Sequence, residues 1–83
     1  MELTKEQKET VNSIIEDHFD IHKEDISEDT MFVSDLGFDS LDFVELIIEI
    51  EIEFDISISI DVGVSNTKSI KDFYGVIASQ LKG

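Results

Sequence analysis

Three kinds of side chain in this sequence could do chemistry: one serine set between two aspartates, a pair of histidines, and a dense population of carboxylates. The serine is Ser40, in the run Asp35-Leu36-Gly37-Phe38-Asp39-Ser40-Leu41-Asp42. Gly37 lets the backbone turn sharply. Ser40 then stands where a loop gives way to a long apolar stretch, Leu41 through Ile60. A hydroxyl in that place has two uses. It can cap a helix, because Ser and Asp are both preferred at the N-cap. It can also be presented for a phosphoryl-type modification, since the N–H groups and positive potential of a helix N-terminus steady a phosphate. Both hold together if Asp39 caps while Ser40 projects, and local physics does not choose between them.

Catalysis by the chain itself has little support. His18 and His22 are the only histidines and lie far from Ser40 in sequence. A Ser-His-Asp triad would have to be assembled entirely by folding. The histidines are spaced i, i+4, which on a continuous helix lets both reach one zinc ion. Asp17 and Asp20 lie nearby. However, the helix carrying His18 is expected to end near Phe19, with His18 half-buried on it. The acidic stretch lacks the ligand order of an EF-hand loop, and there is no Gly-rich phosphate loop with its lysine. No catalytic residue and no metal ligand is expected, and the chain reads as a non-enzyme.

Charge narrows the partners. Six Lys+Arg against 20 Asp+Glu leave a net charge of −14. Such a surface repels nucleic-acid phosphates and anionic lipid heads. It attracts basic protein faces and speeds encounters with them. A hydrophobic content of 41 % argues against disorder. The 83 residues suit one domain with one small core. With no cysteine, disulfides and thiolate metal sites are excluded, which suits a reducing compartment. No signal peptide opens the chain, and a cytoplasmic monomer is expected. Leu46–Ile60 alternates with charge, so it is not a membrane span.

The elements that must position Ser40 are read from period and caps. Thr4 and Gln7 have the spacing of a capping box. Val11, Ile14, Ile15, His18 and Phe19 then share one face, giving a helix from about Lys5 to Phe19. Asp20 to Asp39 has no sustained period. Its scattered apolar residues, Phe32 and Leu36 among them, are expected to pin a long loop across the core, with room for a short helical turn. From Ser40, two apolar stripes follow helical spacing: Leu41, Val44, Ile48 and Ile52, and Phe43, Ile47, Ile50 and Phe54. Yet Glu49 to Asp61 also alternates strictly, as a strand would. Good helix formers favour a helix over Ser40–Phe54, and β-branched residues with serines favour an extended Asp55–Ile60. Gly63 and Asn66 mark a turn. Ser69 and Asp72 form a second capping box, ahead of an apolar face of Ile70, Phe73, Tyr74, Ile77 and Leu81.

The run Asp-Leu-Gly-Phe-Asp-Ser-Leu-Asp-Phe-Val-Glu-Leu, Asp35 to Leu46, resembles the signature of the acyl carrier protein family. The likeness covers the whole chain in outline. It implies an all-α fold, a four-helix bundle with a long loop between the first and second helices and a short third helix. It implies that Ser40 carries 4′-phosphopantetheine, delivered from coenzyme A by a phosphopantetheinyl transferase, and that the arm's thiol holds an acyl group as a thioester. The second helix would meet basic faces of the transferase and of acyl-chain synthesis or transfer enzymes. Asp39, Asp42, Glu45 and Glu51 would supply the charges, and Leu41, Val44 and Ile48 the apolar patch between them. Phe32, Leu36, Leu46, Ile47, Ile50, Phe54 and Ile58 would line a core able to receive an acyl chain.

The chain leaves the family pattern in two places. Ile52 stands where an acidic residue is common. Ser59–Thr67 lacks the usual proline and nearly all the usual acid, so the third helix is expected to be short or irregular. The reading is therefore a carrier for fatty-acid or related synthesis. A specialised carrier (polyketide, or aminoacyl and peptidyl) is the alternative, and an unmodified acidic interaction module is the other.

Overall fold

The long helices start at reciprocal caps. In the computed structural model, which describes residues 2–82, the Thr4 N–H donates to Gln7 Oε1 at 2.8 Å and the Gln7 N–H donates to Thr4 Oγ1 at 3.1 Å. Helix α1 follows over Lys5–Phe19. Asp39 and Asp42 make the same exchange, at 3.0 and 3.1 Å, and launch α2 over Ser40–Phe54. Ser69 and Asp72 repeat it ahead of α4, Ile70–Lys82. Each box satisfies two backbone donors that a helix start would otherwise leave orphaned. Both α1 and α2 end on an aspartate in the left-handed region, Asp20 and Asp55, each at φ 54°. Aspartate is among the few residues with a side chain that tolerate this conformation.

The strand-like alternation of Glu49–Asp61 is not realised, and among the described residues no strand forms. Through Phe54 the residues are helical, and the alternation is what two helical stripes leave when read in sequence. Phe43, Leu46, Ile47 and Ile50 are buried on the inner face, while Leu41, Ile48 and Ile52 lie exposed on the outer one. Residues 56–59 are a non-helical link, as expected. Two expectations are corrected here. Ile60 begins a helix instead of ending an extended segment, and Gly63 and Asn66 lie inside that helix, α3, Ile60–Asn66, instead of at a turn. The reason is packing. A β-carbon on Gly63 would lie 2.6 Å from Ile47 Cδ1, so any larger residue at this approach of α3 to α2 makes the Ile47 side chain shift.

The long loop crosses the bundle and is tied down at both its apolar and its polar groups. It carries one 3₁₀ turn, Lys23–Asp25. Phe32 is fully buried, with its ring centroid 5.0, 5.1 and 5.7 Å from those of Phe38, Phe43 and Phe73. Its N–H donates to the Lys68 carbonyl at 2.9 Å. The Ile70 N–H returns to the Thr30 carbonyl at 2.9 Å, and an isolated antiparallel bridge joins Met31 to Ser69. The loop before α2 and the junction between α3 and α4 are thus one connected surface. Val11 and Ile15 of α1 and Ile70, Phe73 and Ile77 of α4 complete the core.

Candidate functional site

Ser40 is the first residue of α2, and its side chain is exposed. The cap belongs to Asp39, whose carboxylate accepts from the Asp42 N–H. This separates the two uses that the sequence left together: Asp39 caps, and Ser40 projects. Gly37, at φ 73° in the region that favours glycine, makes the turn that delivers the chain to this start.

Beside Ser40 opens a cavity of about 520 Å³, within the range of small-molecule sites. Its walls come from the loop (Met31, Val33, Ser34, Phe38), from the start of α2 (Asp39, Ser40, Phe43), and from α3 and its exit (Val64, Thr67, Lys68). The wall is mostly apolar. Thr67 is 3 % exposed, and its hydroxyl is buried without a hydrogen-bond partner. A buried hydroxyl left unpaired carries a desolvation cost that a bound polar group can relieve. Neither histidine lines this cavity. The carboxylate next to Ser40, that of Asp39, is engaged as the helix cap.

The residues expected to line an acyl pocket lie elsewhere. Phe32, Leu46, Ile47, Ile50 and Ile58 are core, and Leu36 and Phe54 are half-buried against it. None of the seven lines the cavity beside Ser40. Phe38 and Phe43 stand at the boundary, buried in the core and bordering the cavity. Sequence reasoning missed Met31, Val33, Val64, Thr67 and Lys68 as its lining. Packing of α3 and the loop-to-junction hydrogen bonds bring them together, and no periodicity announces those.

The expected docking residues do share the outer side of α2. Asp39 and Glu45 are exposed, Leu41 is 65 % and Ile48 45 % exposed, and Asp42 and Val44 are intermediate. Glu51 is partly committed to the fold, because one carboxylate oxygen accepts from the Ile58 N–H at 2.8 Å and holds the link to α3. The apolar stripe runs past Ile48 to Ile52, which is 72 % exposed. His18, expected half-buried, is instead exposed, with Nε2 3.4 Å from a Glu49 carboxylate oxygen across the α1–α2 interface.

Among the described residues, Asp72 and Tyr74 titrate away from their ordinary values. The Ser69 N–H, with that of Lys68, stabilises the Asp72 carboxylate and lowers its pKa. Burial pushes the Tyr74 phenol up, against the opposing hydrogen bond to Asn12.

Comparison with known proteins bears on this geometry. The family described as "Phosphopantetheine attachment site" matches residues 9–77. An acyl carrier protein of Lactobacillus acidophilus is 40 % identical over 40 residues, covering 48 % of this chain and 50 % of that protein. One from Sinorhizobium fredii is 48 % identical over 40 residues, covering 48 % and 51 %. The chain thus spans about half the length of these curated relatives. A solved structure from Mycobacterium tuberculosis, assigned as an acyl carrier protein, superposes with a TM-score of 0.77 at 38 % identity, covering 87 % of this chain and 95 % of that one.

Proposed function

We propose, from the premise that this chain belongs to the acyl carrier protein family and bears its phosphopantetheine attachment domain, that Ser40 is the residue modified. The observation that carries this is the division of labour at the start of α2. Asp39 takes the cap and leaves the Ser40 hydroxyl exposed at the mouth of a cavity. The site fits the group: a surface hydroxyl for the phosphodiester, and beside it a largely apolar groove with an unpaired hydroxyl at Thr67. When attached, 4′-phosphopantetheine supplies a thiol at the end of a long arm, which holds an acyl group as a thioester.

Ser40 contributes its oxygen. As Oγ bonds to the pantetheine phosphate of coenzyme A, its own O–H bond breaks and the nucleotide bisphosphate leaves. The base that takes the proton belongs to the transferase. Helix α2 has no Lys, Arg or His, so its outer side presents Asp39, Asp42 and Glu45 around Leu41, Val44 and Ile48 to basic faces of the transferase and of acyl-handling enzymes. Glu51 adds the oxygen that Ile58 leaves open. The protein itself is a carrier, not a catalyst, for fatty-acid or related acyl synthesis. The exposed Ile52 favours a specialised set of enzymes, since it puts an apolar contact on that side. A cargo chain enters beside Phe38 and Phe43. It reaches Phe32, Leu36, Leu46, Ile47, Ile50, Phe54 and Ile58 only if α3 yields its close contact with Ile47.

The absence of cysteine supplies a clean test. Thiol titration of the chain alone reads zero. After treatment with coenzyme A and a transferase, one thiol per chain is expected. A titre that stays at zero with several competent transferases contradicts the proposal.

A further inference from the structure

We infer that the transferase which loads Ser40 docks along α2 as far as Ile52, and that it meets Ile52 with an apolar socket instead of a basic group. This rests on the assignment of the arm to Ser40 and deepens it, by naming the partner chemistry that the far end of the helix selects. Among the described residues, the large hydrophobic side chains left exposed are Met31 and Val33 on the loop, Leu41, Ile48 and Ile52 on α2, and Ile60 at the start of α3. None lies on α1 or α4. Exposed apolar surface is thus confined to the elements that border the cavity of Ser40. Single exposed hydrophobics need no explanation, but an aligned set points to a contact. Ile52 is the most exposed of them.

A transferase has to reach the Ser40 hydroxyl at the head of α2, so its face lies against this helix. Ser40 and Ile52 are about 18 Å apart along the axis, a length that one standard interface covers. The two ends of that span differ. Near Ser40, Asp39, Asp42 and Glu45 call for Lys or Arg on the partner. At the far end Ile48 stands one turn before Ile52, on the same face. The carboxylate one turn back, Glu49, lies 3.4 Å from His18 Nε2, and Glu51 accepts from the Ile58 N–H at 2.8 Å. A basic group set against Ile52 would therefore lose water without gaining a free carboxylate opposite. An aliphatic or aromatic side chain there is buried together with Ile52 and Ile48. A second copy of this chain is a poor occupant, because two bodies of net charge −14 repel.

The experiment measures loading from coenzyme A, using, from a panel of phosphopantetheinyl transferases, the one with the lowest KM for the native chain. Ile52→Ala should raise that KM about five- to twentyfold, the scale of one aliphatic side chain left unburied, with kcat within about twofold. Ile52→Glu should raise it at least as much, and Ile52→Leu should restore it. Because apolar burial is not screened, the ratio of the Ile52→Ala and native KM values should hold from about 0.05 to about 0.3 M salt, while the native KM itself rises. A KM unmoved by Ile52→Ala, or lowered by Ile52→Glu, overturns the inference and leaves Ser40 as the modified residue. Sedimentation that finds the native chain dimeric and Ile52→Glu monomeric overturns it too, by giving this face to a second copy. A native chain that no transferase loads overturns the assignment of Ser40, and this inference with it.

Discussion

Asp39 accepts the Asp42 N–H and its own N–H is taken by Asp42, so the serine that follows has no structural duty at the helix start. That division makes separable predictions. Asp39→Ala should destabilise the fold by about 1 kcal/mol, the usual worth of a cap. Ser40→Ala, an exposed change outside any cap, should stay within about 0.5 kcal/mol. Urea unfolding of the two variants checks both, and a larger loss in Ser40→Ala would return the cap to the serine. Asp72 supports the start of α4 in a pH-dependent way. Hydrogen bonds from Ser69 and then Lys68 hold its carboxyl below the ordinary value. A lowered folded-state pKa contributes stability above the unfolded value and loses it as pH falls through the folded one. The stability gap between the native chain and Asp72→Ala should therefore be constant near neutrality and close in acid, below about pH 4. A gap unchanged at low pH would mean that the neutral carboxyl caps equally well.

At the scale of elements, two helical glycines should behave oppositely. Gly63 in α3 is buried against Ile47, where a methyl group would fall 2.6 Å from Cδ1. Ile47 is fully buried and has little room to move. Gly63→Val should cost about 1–3 kcal/mol by overpacking. Gly75 in α4 is exposed, and a β-carbon there meets nothing within 4 Å. Gly75→Ala should gain up to about 1 kcal/mol from helix propensity alone. Thermal unfolding of both variants gives the comparison, and a destabilised Gly75→Ala would contradict it. These helices were legible in the sequence to different degrees. Lys5–Phe19 could be read directly, because cap and apolar stripe agree there, whereas over Ser40–Phe54 helical stripes competed with a strand-like alternation that residue types and the family resemblance decided for helix. Ile60–Asn66 could not be read from its residues, because Gly63 looks like a turn until its neighbour on α2 is known; only the family resemblance implied a short third helix there. Likewise Ser40 announced itself by local pattern. The cavity beside it did not, since Met31, Val64, Thr67 and Lys68 are far apart in sequence from Ser40 and meet it only through tertiary packing and the bonds between the loop and the α3–α4 junction.

The whole molecule carries a net charge of −14 on 83 residues, and among the described residues no Lys or Arg lies within 4.0 Å of a carboxylate, the one such contact being that of His18 with Glu49. Like charges spread over so small a body repel, and little local pairing relieves them. Raising ionic strength from 0.01 to 0.15 M shortens the screening length from about 30 to about 8 Å, and the unfolding midpoint should rise with it. A midpoint indifferent to salt would show that the repulsion is equal in the unfolded chain. The same acidity suits docking on basic protein faces, and no described helix is long and apolar enough to cross a membrane. The arm is proposed to sit on Ser40. The direct measurement is the intact mass, with fragmentation, of the native sequence and of Ser40→Ala after incubation with coenzyme A and a transferase. One added phosphopantetheine located at Ser40, and none in Ser40→Ala, is the result expected. The same gain of mass in Ser40→Ala, or an arm located at any other residue, would contradict the account.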